Sequence, residues 1–375
     1  MSLCSKSCSN SMRSSKLKTA TFVSVAIGIY YLLSLSGHRS IIEGQLGILS
    51  TSEGDSNGDG FNREYLLAPE VQYTPKIAWL MSFPNSGTSF TMSLVGRASN
   101  RSFATNYADE VTPRDISSAS LNIYHHRHDG PFWPGMSGKI LSPRPLPESF
   151  VITKTHCGSR CMYCGPEVYV VTADDFLSSC SSGHARIANK TEAVDVHYPP
   201  ERVASAIHLI RDPFTNIISR FHQRRKNQED KNLTEWLSQH PNNSTGFQRW
   251  CKELDNQYRQ EDIEYFGLEH VPKAPCHGEF FKYAQWHSLV EDALDLISHP
   301  VPVLTVYYED YASKLEETTE TILNFLDLDL VGRIKVFKAK TEVSEYFTAE
   351  QKDSIKEFIR DVASSAAWAH IQHYF

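Results

Sequence analysis

The sequence has no excess of basic charge, no glycine at every third position, no internal repeat and no Gly-x4-Gly-Lys-Ser/Thr nucleotide loop. Each absence removes a class. With 37 Lys and Arg against 44 Asp and Glu, the net charge of −7 points away from a general nucleic-acid binder, which needs a basic surface to meet phosphates. The 19 Gly and 18 Pro residues are too few and too irregular for a collagen-like chain. A composition of 41% hydrophobic and 22% charged residues is ordinary for a globular protein and excludes coiled-coil and wholly disordered readings. The missing phosphate-loop lysine argues against a kinase-like nucleotide enzyme. What remains, in 375 residues, is one large α/β domain or about two average ones.

The charge is unevenly spread. Lys6, Arg13, Lys16 and Lys18 lie in the first 18 positions, which hold no acidic residue. Thr19 to Ser36 then run 18 residues without a charge, just enough for one helical crossing of a bilayer. The expected organisation is a cytosolic basic tail (1–18), a transmembrane signal anchor (19–36), a stem (37–75) and a luminal domain (76–375). A cleaved signal peptide is the alternative, with Ser34-Leu35-Ser36 as its processing site. The stem is acidic and flexible in composition, with Gly-Asp-Ser-Asn-Gly-Asp-Gly at 54–60.

Sequons at Asn100, Asn189, Asn232, Asn242 and Asn243 all follow the anchor, where glycosylation machinery would reach them. Of eight cysteines, Cys4 and Cys8 fall in the tail and are candidate acylation sites. Cys157, Cys161, Cys164, Cys180, Cys251 and Cys276 fall beyond the anchor, an even number that favours disulfides in an oxidising compartment. Cys157, Cys161 and Cys164 have a zinc-like spacing, but no matching ligand pair completes a site, so no metal is expected.

Short apolar runs at Ile77–Met81, Phe150–Ile152, Val168–Val171, Ala206–Ile210 and Val301–Val306 alternate with helical patterns. Continuous apolar runs suit strands covered on both faces, so the expected fold is a P-loop-like three-layer α/β domain with a mainly parallel sheet flanked by helices. Residues 98–149, rich in His, Pro, Gly and Ser, read as long loops over the carboxyl ends of the strands. Within them His125, His126 and His128 read as an exposed acceptor loop rather than a metal site.

Two segments suggest anion binding. Ser82-Phe-Pro-Asn-Ser-Gly-Thr-Ser-Phe90 joins the first apolar run to a helical pattern, so backbone N–H groups and hydroxyls face one anion at a helix start; the alternative is a well-capped polar turn. In the segment 206–222 a strand delivers Arg211 to its carboxyl end, Pro213 opens a helix and Ser219 lies nearly two turns in. Arg211 and Ser219 suit one phosphate, unless Arg211 pairs with Asp212 or another carboxylate and Ser219 is simply solvated.

Pro84 to Phe90, Lys154-Thr155-His156, Leu209 to Pro213 with Ser219, and Val306-Tyr-Tyr-Glu-Asp310 occur in this order. Together they resemble the sulfotransferases that use 3′-phosphoadenosine 5′-phosphosulfate, over roughly residues 77–328. The resemblance implies that Asn85, Ser86, Gly87, Thr88 and Ser89 bind the 5′-phosphosulfate, that Arg211 and Ser219 bind the 3′-phosphate, and that Phe90 contacts the adenine. It also carries the role of general base to His156, with Lys154 two residues away on the same strand face to meet developing negative charge.

The chain departs from that family at two points. Asn85 stands where many members have a cation, and the Gly-x-x-Gly-x-x-Lys segment that closes on the 3′-phosphate in cytosolic members is missing. Arg220, Arg224, Arg225 and Lys226 are candidate substitutes, or else a solvated basic face. Glu309 and Asp310 either bind acceptor or anchor the next helix. The resulting expectation is a Golgi type II membrane enzyme moving a sulfuryl group to an acceptor hydroxyl, with a glycan as favoured partner. The rival is a luminal nucleotide- or glycan-binding protein of the same fold that has lost catalysis through Asn85.

Overall fold

The structure, a computed structural model, describes residues 75–107, 120–123, 132–133, 144–158, 168–186, 193–267, 273–338 and 346–375. The expected tail, anchor and nearly all of the stem, the His125–His128 loop, Cys161, Cys164 and Asn189 lie outside the described residues. Among the described residues no helix is long and apolar enough to cross a membrane.

The strands are β1 (Lys76–Ser82), β2 (Phe103–Thr105), β3 (Ser120–Ile123), β4 (Phe132–Trp133), β5 (Phe150–Thr155), β6 (Ser182–Arg186), β7 (Ala193–His197), β8 (Val203–Ile210) and β9 (Val303–Tyr307). Seven form one sheet in the order β4-β3-β2-β5-β1-β8-β9, while β6 and β7 make a separate hairpin. Every pairing in the large sheet is parallel except β3 with β4. The expected mainly parallel α/β sheet is thus present.

The central strands read as unbroken apolar runs because both faces are covered. Ile77, Trp79 and Met81 of β1 enter one core with Phe214, Ile217, Phe280 and Trp286 from the helices Pro213–Asp230 and His277–Asp295. Ala78 and Leu80 enter the opposite core with Met92, Leu94 and Val95 of the helix Thr88–Ala98 and Ile322 and Leu323 of the helix Leu315–Phe325. Alternate side chains of one strand therefore feed two layers. The buried indole of Trp79 is hydrogen-bonded to the Tyr198 hydroxyl at 2.9 Å, which satisfies its polar edge.

Two expectations need correction. Val168–Val171 is not a strand: Val168 and Val170 are 39% and 46% exposed, while Tyr169 is buried and stacks on Tyr258 with ring centroids 4.4 Å apart. One aromatic anchor holds the segment, without a neighbouring strand. Nor is the segment 98–149 all loop, because β2, β3 and β4 extend the sheet beyond β5. These strands are two to four residues long, too short to impose a period of two on the sequence.

Two disulfides, Cys157–Cys180 and Cys251–Cys276, join segments on the helical layer that contains His277–Asp295. The last long helix, Ala349–Val362, opens with a full capping box in which the Thr348 side chain and Gln351 exchange hydrogen bonds.

Candidate active site

The carboxyl ends of β1, β5 and β8 lie side by side, with Met81 paired to both Thr155 and His208. The chain leaves β1 at Ser82 and turns through Asn85 and Gly87, whose φ angles are 69° and 98°. Asn is among the few side chains that tolerate this left-handed region. Gly87 is required twice over, since its φ is positive and a Cβ there would collide with the Tyr308 ring. It occupies the cap position of the helix Thr88–Ala98, and no side chain caps that end. The N–H groups at a helix start have no acceptor within the helix, and the helix dipole adds positive potential there. Such a helix start can hold an anion.

Side chains behind the loop fix its shape. Asn216 Nδ2 donates to the Pro84 carbonyl and to Ser86 Oγ, both at 3.0 Å. Thr88 Oγ1 is buried 2.6 Å from Ser82 Oγ. Ser86 and Thr88, expected to face the anion, thus hold the turn from within, while Ser89 is exposed at its mouth. Ser82 and Asn216 lie within the two segments singled out from the sequence but were given no role there, because their role depends on the fold bringing them to their partners.

His156 follows β5 and reaches the same place. Its Nδ1 lies 2.8 Å from the Ser82 carbonyl oxygen and 3.3 Å from Ser82 Oγ. Its backbone N–H donates to the Tyr107 hydroxyl at 2.7 Å, and its carbonyl accepts from Trp286 Nε1 at 2.7 Å. Tyr107 stacks on the imidazole, 14° from coplanar, and Lys154 Nζ sits 5.8 Å from the same phenol ring centre. Lys154 and His156 are therefore joined through Tyr107, which the sequence did not single out. The expected pair is close to the loop, and Ser82 touches both the base candidate and Thr88.

Arg211 leaves the end of β8. Its Nη1 donates to the Asn85 carbonyl at 2.7 Å, its Nε donates to Thr215 Oγ1 at 3.1 Å, and its guanidinium lies 4.5 Å from the Tyr308 ring centre. It makes no ion pair with Asp212, although Asp212 and Glu309 both act on its charge. Burial lowers its pKa from the usual arginine range, against the pull of Tyr308, Glu309 and Asp212. Burial likewise raises the Asp212 carboxyl, which is opposed by the hydrogen bond from Thr215 N. Ser219 is half-buried farther along the helix, and its hydroxyl makes no hydrogen bond among the described residues. The structure brings Arg211 to the loop.

Phe90 lies in an aromatic group with Tyr311 and Phe337, each 5.0 Å away between ring centres, and Lys335 Nζ is 5.2 Å from its ring. The segment Arg333-Ile-Lys-Val-Phe-Lys338, in which basic and apolar residues alternate, was the available signal for this contact. Among the proposed substitutes for the missing basic segment, Arg220 is neither solvated nor near an opening. It is fully buried and ion-paired with Glu279, which Lys282 Nζ also meets at 2.6 Å. Burial would raise the Glu279 carboxyl, but Arg220 and Lys282 outweigh it and hold the pKa at about 2. Arg225 is taken by the His240 carbonyl and Glu229, and Arg224 lies over Trp236. Glu309 bonds Asp212 N and Tyr374, as an anchor would, while Asp310 begins a short helix and pairs with Lys314 at 3.9 Å.

The sequence model of the sulfotransferase domain matches residues 75–360, more than half the chain and all of the site just described. The chain belongs to the sulfotransferase domain family. Among solved structures it is similar to a sulfotransferase from Alicyclobacillus acidocaldarius, with 12% identity over 80% of this chain and 96% of that one, at a TM-score of 0.38. No curated protein matches it. Membership in the sulfotransferase family supports an enzyme that moves a sulfuryl group. A helix start able to hold an anion, next to a histidine able to accept a proton, is compatible with such a transfer.

Proposed function

We propose that the chain transfers a sulfuryl group from 3′-phosphoadenosine 5′-phosphosulfate to an acceptor hydroxyl, most consistently that of a glycan. The observation that carries this reading is the shared residue Ser82, whose carbonyl holds His156 while its hydroxyl meets Thr88 at the start of the cradle. Donor and acceptor chemistry are thereby kept in register.

In this reading the 5′-phosphosulfate lies on the turn Asn85–Ser89, and Arg211 and Ser219 serve the 3′-phosphate. The acceptor oxygen attacks sulfur in line as His156 Nε2 takes its proton. The bond from sulfur to the bridging oxygen breaks, and the electron pair leaves on the 5′-phosphate. Lys154 offsets charge gathering on the sulfuryl and bridging oxygens. No step calls for a metal. Glycan preference and a Golgi location, with the domain luminal, rest on the basic tail, the uncharged run 19–36 and the stem.

Asn85 motivates a second reading, a binding protein of the same fold without turnover. Detergent-solubilised full-length protein supplied with radiolabelled donor and a panel of glycans separates the two. Transfer that disappears with His156→Ala supports the enzyme; donor binding without transfer to any acceptor supports the binder.

A further inference from the structure

Glu309, just beyond β9, uses both oxygens of its carboxylate. Oε1 accepts the backbone N–H of Asp212 at 3.1 Å, and Oε2 accepts the Tyr374 hydroxyl at 2.7 Å. These contacts join positions separated by 97 and 65 residues. Asp212 is the cap of the helix Pro213–Asp230, its Oδ1 accepting from Thr215 N at 2.7 Å. The preceding peptide is held as well, since Tyr283 donates to the Arg211 carbonyl at 2.7 Å. Arg211 thus has its carbonyl fixed from one side and the next amide fixed from the other.

The tyrosine end of the link is itself docked. Tyr374 closes a short turn after the helix Ser365–Ile371. Phe375 packs on Phe214 with ring centres 5.4 Å apart, and His373 packs on Tyr307 at 4.9 Å. A backbone amide and a phenol both donate here to different oxygens of one side chain, and a carboxylate has two acceptor oxygens where an amide has one. Two carboxylates, Asp212 and Glu309, stand beside one arginine, an arrangement that costs desolvation and mutual repulsion. Its return lies in orientation: with Nε and Nη1 engaged by Thr215 and Asn85, Nη2 is the guanidinium nitrogen left to meet an anion.

We infer that Glu309 and Tyr374 are positioning residues for Arg211, so that the C-terminal turn sets how well the protein distinguishes a donor carrying a 3′-phosphate from one lacking it. This rests on the reading that Arg211 takes that phosphate. Neither residue touches the nucleotide; each acts through the peptide joining Arg211 to Asp212.

Calorimetric titration of the full-length protein with adenosine 3′,5′-bisphosphate and with adenosine 5′-monophosphate tests it, the ratio of affinities being the readout. Arg211→Ala is the control and should bring the ratio close to one. Glu309→Ala should lower the ratio about tenfold while adenosine 5′-monophosphate binding stays within about twofold, and Tyr374→Phe should lower it about threefold, the scale of one lost hydrogen bond. Glu309→Gln, which keeps one acceptor, should recover most of the loss. The inference is overturned if Glu309→Ala and Tyr374→Phe weaken both nucleotides in equal proportion, or leave the ratio intact while Arg211→Ala abolishes it. If Arg211→Ala keeps the ratio, the assignment of Arg211 to the 3′-phosphate fails instead. Should Glu309→Ala not fold, Tyr374→Phe, which removes a single hydroxyl, decides the outcome.

Discussion

His156 Nδ1 lies 2.8 Å from the carbonyl oxygen of Ser82, and a carbonyl can only accept. In the neutral ring the proton therefore resides on Nδ1, which leaves the lone pair on Nε2. The backbone sets the tautomer that a general base needs.

Replacing this histidine should separate chemistry from binding. His156→Ala is expected to lower kcat about 10²- to 10⁴-fold, the usual contribution of a positioned base, with affinity for adenosine 3′,5′-bisphosphate within about twofold. His156→Asn, whose amide still reaches towards Ser82, should fold like the native chain and remain as inactive. Single-turnover kinetics alongside nucleotide titration checks both variants, and an active His156→Asn would reject the base assignment.

Gly87→Ala should damage the cradle from within. The new methyl meets Tyr308 at a φ of 98°, so either the ring or the turn must move. A stability loss of about 1–3 kcal/mol is expected, with donor binding lost more than stability, because Tyr308 also supports Arg211. Urea unfolding and nucleotide titration of one preparation measure the two effects.

Asn85→Lys offers the loop the cation that many relatives carry. Lysine tolerates a φ of 69° less well than asparagine, so a stability loss of roughly 1 kcal/mol is expected. Donor affinity should rise, and the rise should shrink with added salt as the new charge is screened. An unchanged affinity at low salt would mean that this position does not face the donor.

Acid should weaken the fold through a buried imidazole pair. His208 Nε2 and His287 Nδ1 lie 2.7 Å apart. Burial, then His370, brings the His208 pKa down to about 3, and burial with His208 and His370 lowers that of His287 well below its ordinary value. Between pH 6.5 and about 3 the unfolded chain binds a proton that folded His208 refuses, so stability is present above 6.5 and falls with pH by up to about 1.4 kcal/mol per unit from that ring, with His287 acting in the same direction. His277, raised by Asp262 and Asp255 against its burial, opposes this trend, its stabilisation being lost as pH rises. Urea midpoints at pH 7 and pH 5 should therefore differ less in His287→Gln than in the native chain.

Topology has its own check. Asn100, Asn232, Asn242 and Asn243 are all exposed. Enzymatic deglycosylation of the cell-expressed protein should increase its gel mobility, and unchanged mobility counts against a luminal domain.

Much of this arrangement was legible in the sequence because it depends on local chemistry. β1, β5 and β8 could be read from apolar runs buried on both faces, β9 from an apolar run at the sheet edge of which only Val306 is buried, and Gly87 and His156 from their motifs. Val168–Val171 misled because an apolar run records composition, and only Tyr169 of that segment is buried. Ser82, Tyr107, Asn216, Trp286 and Tyr374 stayed silent for another reason. Each acts through a partner at least 49 residues away, and no spacing within one segment reports such a pairing. Arg220 shows the reverse error, a basic residue on a basic helix that the fold buries against Glu279.

The bridge between Cys157 and Cys180 begins one residue after His156, and Thr155 Oγ1 donates to the Cys180 carbonyl at 2.9 Å. The end of the strand that presents the imidazole is thus tied off by a covalent bond that the ribosome does not make. By loop-closure entropy a link across 23 residues is worth about 3 kcal/mol, and in a thiol-rich cytosol that support is withheld. The history of a preparation is consequently part of its chemistry. Protein made in a reducing host and never oxidised would present the same sequence with a loosened His156, and its inactivity would say nothing about Asn85.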